Sequence, residues 1–144
     1  MPRLSVALLM TVLLMLQLSG CAKEDSSTSP DSSADNLTLG TGINPSNLFE
    51  LVGEGTTFKG VNVDIYWRLE SKDDMTGSAV KIKIEKLVSG VYSIFQTNSY
   101  SSTQNNGHIM ISSFSLPQTG SFRATGILVA TNKSIASRDF TVQP

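Results

Sequence analysis

The chain has 144 residues, 11 of them Lys or Arg and 12 Asp or Glu, for a formal net charge of −1 with only 16% charged side chains. That balance offers no basic face for a phosphate backbone and argues against a nucleic-acid partner. One cysteine excludes an internal disulfide framework, and the length suits one domain rather than two once an N-terminal apolar segment is set aside.

That segment comes first. Arg3 precedes an apolar run from Leu4 to Leu18, about 15 residues against the ~20 that a bilayer-spanning helix needs. Its length and single leading cation are those of a signal peptide, and Lys23 is answered at once by Glu24 and Asp25, so no cationic cluster follows to hold it in a membrane. The run ends in Leu18-Ser19-Gly20-Cys21, which resembles the Leu-small-Gly-Cys signal of bacterial lipoproteins. The resemblance implies that a diacylglycerol is carried on the Cys21 sulfur, that residues 1–20 are removed, and that Cys21 becomes the N-terminus of a protein partnered with the lipid bilayer. Lipidation also accounts for a lone exported thiol. Ala22, where an Asp would resemble an inner-membrane retention signal, points to the outer membrane, or to the outer face of the plasma membrane in a cell with one membrane.

Without residues 1–20 the chain keeps 12 acidic and 10 basic side chains (11 less Arg3), about −2. Residues 21–46 are rich in Ser, Asp, Thr and Gly and bury too little to offset the entropy of ordering them, so they read as a flexible tether. As a coil, about 25 such residues average roughly 25–30 Å end to end and reach about 80 Å at full stretch. Leu37, Leu39 and Ile43 are the apolar exceptions, readable as part of the tether or as a loose first strand.

The domain is expected over residues 47–144. Leu48 to Val52 form a short apolar run stopped by Gly53-Glu54-Gly55. Val61, Val63, Ile65, Trp67 and Leu69 then alternate with polar neighbours, which predicts a strand over 61–70 with Trp67 as the largest piece of the core. Residues 71–78 read as a solvated turn; Asp73 and Asp74 are too few oxygen donors for calcium and lack the spacing of a calcium loop. Val80, Ile82 and Ile84 alternate with Lys81, Lys83 and Glu85, and Ser89-Gly90 separates this strand from Val91 to Phe95 as in a hairpin. The lysines, with Lys86, either meet an anionic surface or blunt a sheet edge, and the second role is the commoner.

Residues 96–108 form the longest polar stretch of the domain, read as a loop or as an edge strand around Thr97 to Ser101 followed by an Asn106-Gly107 turn. Tyr100, Gln104 and Asn105 are its candidate partner-binding residues, since an aromatic beside amides offers stacking with paired donors and acceptors to an envelope protein or a glycan. His108 is the only histidine, which leaves a zinc site or a serine-histidine-aspartate triad without support.

The last third carries apolar runs at Ile109 to Ile111, Phe122 to Val129 and Ile135 to Val142. Around Leu116 and Phe122, six apart, it resembles the Leu-x-Pro-Gly-x-x-Tyr approach to the penultimate strand of immunoglobulin-like and fibronectin type III-like modules, although Pro117 lies one place early and Phe122 lacks the hydroxyl of a tyrosine corner. Seven strands, near 47–52, 61–70, 79–88, 91–98, 108–115, 121–130 and 134–142, predict an all-β, antiparallel, immunoglobulin-like sandwich, ahead of an up-and-down barrel. The expected role is a non-enzymatic binding or structural module needing no cofactor or metal. The alternative is a small glycan-active or other hydrolase using Asp64 with Glu70 or Asp73 with Asp74, but no nucleophile elbow or phosphate loop accompanies them.

Overall fold

The structure, a computed structural model, describes residues 34–101 and 105–144; Cys21, the signal segment and Gln104 lie outside them. Among the described residues there are eleven strands: β1 Asn36–Gly40, β2 Gly42–Asn44, β3 Asn47–Val52, β4 Thr57–Lys59, β5 Asp64–Glu70, β6 Val80–Val88, β7 Val91–Tyr100, β8 Asn105–Asn106, β9 Ile109–Ser115, β10 Gly120–Leu128 and β11 Lys133–Gln143. One sheet has the order β1-β5-β9-β8, the other β4-β11-β10-β6-β7, and β2 and β3 form a separate hairpin. Pairing is antiparallel except where the short β4 runs parallel to β11. The chain is an all-β antiparallel sandwich.

The period-two pattern explains which faces meet. Ile65, Trp67 and Leu69 of β5, Val80, Ile82 and Ile84 of β6, and Phe122 and Ala124 of β10 are buried in one core that draws on both sheets. Phe122 stacks on Phe140 at 5.6 Å between ring centroids, and Phe95, Phe114 and Phe58 extend the cluster edge-on or tilted. The sheets approach closely at Gly126, where a Cβ would lie 2.6 Å from Cδ1 of the fully buried Leu69. Only a residue without a side chain fits between them there.

Five expectations are corrected. The tether does not extend to residue 46, because Leu37 and Leu39 are buried and β1 pairs with β5 from Asn36↔Glu70 to Gly40↔Tyr66. The run 47–52 is not a strand of either main sheet. The β2–β3 hairpin lies on the outer face of the four-stranded sheet, where Leu51, Ile109 and Ile111 form a second small core with Ile43, Phe49 and Tyr66 against it. Burying an outward-facing row in this way hides more apolar surface than alternation alone would.

The strand predicted from residue 61 starts at Asp64, and Val61 and Val63 are exposed. Gly60 and Asn62 have positive φ of 88° and 58°, which breaks the extended backbone before the alternation can continue. In the 71–78 loop Met75 is fully buried and its amide donates to the Gly107 carbonyl at 2.7 Å, so the segment is pinned to the core. The lysine-bearing β6 is also no edge: it lies between β10 and β7.

Candidate recognition surface

One end of the sandwich gathers the β5–β6 loop, the β8–β9 turn and the β10–β11 turn. The Ser71 amide donates to the His108 carbonyl, and the Val129 amide to the Ala79 carbonyl, tying all three connections together. The Lys133 ammonium donates to the Asp73 carboxylate, which holds that acid below its ordinary range and raises Lys133. Hydrogen bonds from Thr76, including its amide at 2.8 Å, lower Asp74 in the same way. Asp35, just before β1, accepts from the Lys72 amide at 3.0 Å, so the chain joins the domain at this same end. Loops fixed on a rigid sandwich are common recognition elements.

Of the predicted partner-binding residues, Tyr100 and Asn105 fall near this end but are not equivalent. Tyr100 ends β7 opposite Val80 and is half-buried: its ring meets Trp67 edge-on at 4.8 Å and its hydroxyl donates to the Ser113 carbonyl at 2.8 Å. Burial pushes its phenol above the ordinary value, and the Trp67 indole N–H and the Asn98 amide oppose that shift. The Trp67 Nε1–H nevertheless has no well-aligned acceptor. Tyr100 therefore serves the core and is not an exposed platform. Asn105 sits in β8 with its backbone paired to Met110.

A second polar surface, on the outer face of the five-stranded sheet, is not evident in the sequence. Arg123 and Asp139 are opposite one another in the β10–β11 register, and the guanidinium reaches both carboxylate oxygens at 2.6 and 3.0 Å. This pair lowers Asp139 and raises Arg123, and the Tyr92 ring lies 4.2 Å from the guanidinium carbon. A shallow depression of about 450 Å³ beside it is lined by Thr56, Arg123, Ser137, Arg138 and Asp139. The bulge between Gly126 and Ile127 shifts the hairpin register, so no count from the turn would have paired Arg123 with Asp139.

The two carboxylate pairs named from the sequence are held apart or engaged by partners. Asp64 and Glu70 are six positions apart on one strand, about 20 Å, beyond the separation of glycosidase carboxylates; Glu70 is also bound by Arg68 at 2.6 Å. Asp73 and Asp74 are each committed to a partner. Among the described residues no group of three or more His, Cys, Asp or Glu could hold a metal.

Known protein families and curated proteins offer no match to this chain.

Proposed function

We propose that this chain is a lipid-anchored module of the bacterial cell envelope, held by Cys21 and acting through binding or scaffolding rather than catalysis. The observation that carries the reading is Leu18-Ser19-Gly20-Cys21 at the end of a short apolar run, with the first strand of a sandwich only fifteen positions further on (36 minus 21). Each buried methylene contributes about 0.8 kcal/mol and one acyl chain holds only marginally, so two or three chains are what make the attachment stable. The outer membrane is the favoured location, on the grounds of Ala22.

The strand order supports an immunoglobulin-like assignment for the domain. In that fold one sheet runs A-B-E-D and the other contains G-F-C; β1, β5, β9 and β8 fall in the first set, and β11, β10 and β6 in the second, with β7 added beyond β6. The β2–β3 hairpin is then an insertion after the first strand. Leu116 and Phe122 flank the connection into β10 and are both buried.

The anchor is tested by fatty-acid labelling of the full chain and of Cys21→Ser in bacterial cells. The parent should label, lose residues 1–20 and partition with membranes, and the variant should do none of these. Labelling that persists in Cys21→Ser would overturn the reading.

A further inference from the structure

The two main sheets have four outer sides. On two of them a short strand covers only part of a longer one: β8 pairs with Ile109 and Met110 of β9, and β4 with Thr141 to Gln143 of β11, which leaves Lys133 to Phe140 as an edge guarded by the charges of Lys133, Arg138 and Asp139; β1 has five residues, and its Leu39 carbonyl accepts from the Gly55 amide. The fourth is different: β7 spans ten residues, Val91 to Tyr100, and ends the five-stranded sheet. A long edge is usually blunted by a charged side chain, a proline or a bulge. The β7 sequence, Val-Tyr-Ser-Ile-Phe-Gln-Thr-Asn-Ser-Tyr, contains no charge and no proline, and its one bulge lies at Phe95.

It also displays apolar side chains to solvent. Ile94 is 70% exposed and Val91 65%, and Val88 across the Ser89-Gly90 turn is 56% exposed. These are good strand formers left uncovered along an open row of backbone donors and acceptors. A register shift at Phe95 bulges the strand and divides the edge into two segments, 91–94 and 96–100, each long enough to pair.

We propose that β7 is a self-association edge, pairing antiparallel with β7 of a second copy of this chain to join two five-stranded sheets into one. The occupant follows from charge. A two-fold interface sets a strand against itself, so a charged residue near its axis would face its own like. An edge with no charge in ten residues meets that condition, whereas a cationic or anionic partner would find no complement on it. The geometry is also compatible with anchoring. Antiparallel pairing puts the two Asn36 positions at opposite ends of strands about 33 Å long, and fifteen residues reach at most about 50 Å, so both chains can be held by one bilayer. The edge itself does not depend on the lipid.

The test is a cysteine scan in the full chain within bacterial membranes, with Ser93, Ile94, Thr97 and Ser99 replaced by Cys one at a time and Ser121→Cys, exposed on the interior strand β10, as the off-edge control. Under mild oxidation, positions near the two-fold axis should give a product of twice the monomer mass, at least tenfold above the control. Adding Ile94→Lys or Thr97→Lys to a cross-linking variant should remove it, while Leu48→Lys, at an exposed apolar site on β3, should not. The proposal is overturned if no β7 position exceeds Ser121→Cys, if the product has another mass, or if both lysine variants melt like the parent and still cross-link. Repeating the scan with Cys21→Ser separates the two readings: loss of membrane attachment with cross-linking retained leaves the edge standing, and a product that requires Cys21 overturns it.

Discussion

Ser71 and His108 are joined twice. The Ser71 amide donates to the His108 carbonyl at 2.9 Å, and His108 Nδ1 lies 2.9 Å from the Ser71 carbonyl. A carbonyl only accepts, so Nδ1 carries the proton. The pair locks the β5–β6 loop to the β8–β9 turn, and Ser71 is fully buried.

His108→Ala should therefore destabilise the domain by about 1–3 kcal/mol, because it leaves the Ser71 carbonyl short of a donor in a buried site. His108→Asn places an amide nitrogen near the Nδ1 position and should recover a good part of that loss. Thermal melts of the two variants decide it: equal shifts would mean that the imidazole acts by packing alone.

Trp67 and Tyr100 are the second coupled pair, across the core from β5 to β7. Trp67→Ala should cost about 3–5 kcal/mol through lost burial and the cavity left behind. Tyr100→Phe should cost about 0.5–1.5 kcal/mol, the usual net worth of one hydrogen bond, here the bond to Ser113. Combining Trp67→Ala with Tyr100→Ala should expose a coupling of about 0.5–1.5 kcal/mol for the edge-on contact. Tyr66→Ala touches only the small outer core and should cost less than Trp67→Ala. A larger effect at Tyr66 in denaturant melts would reverse the two faces of β5.

Gly126→Ala should destabilise by about 1–3 kcal/mol, the range for overpacking a close-packed interior, because the added methyl meets the buried Leu69. Leu69→Val in the same chain should make the double variant lose less than the sum of the single losses. Strict additivity would place the strain elsewhere.

The elements most legible in the sequence were those with unbroken alternation and a buried inner face, Ile65 to Leu69 and Val80 to Ile84. β1 was obscured because its two core residues, Leu37 and Leu39, sit among Asn, Thr and Gly, and pairing with β5 rather than local pattern makes them a strand. Alternation misled at Val61 and Val63, where the left-handed Asn62 intervenes. At the end of β7, Gln96 and Asn98 are partly buried and bond to each other, so an inward face looked like a loop. The candidate surfaces were harder still. Asp73 was visible as an acid, but its partner Lys133 is 60 residues away, and Arg123 meets Asp139 only through the folded register.

Those two ion pairs make the last prediction, about acid. Asp73 and Asp139 are both depressed below the ordinary value of 3.8, by Lys133 and Arg123 respectively. A group whose folded pKa is depressed stabilises the fold above its unfolded pKa, and that contribution fades as pH falls through the folded value. The parent should therefore lose stability as pH falls into and below the ordinary carboxylate range, and the double variant Asp73→Asn, Asp139→Asn should show a flatter acid limb. Both pairs lie at the surface, so the difference at neutral pH should be small and should shrink further in about 1 M salt, where screening acts within about 3 Å. Melting temperature against pH for the two proteins is the measurement. Superimposable acid limbs would mean that neither carboxylate is held by its cation in solution.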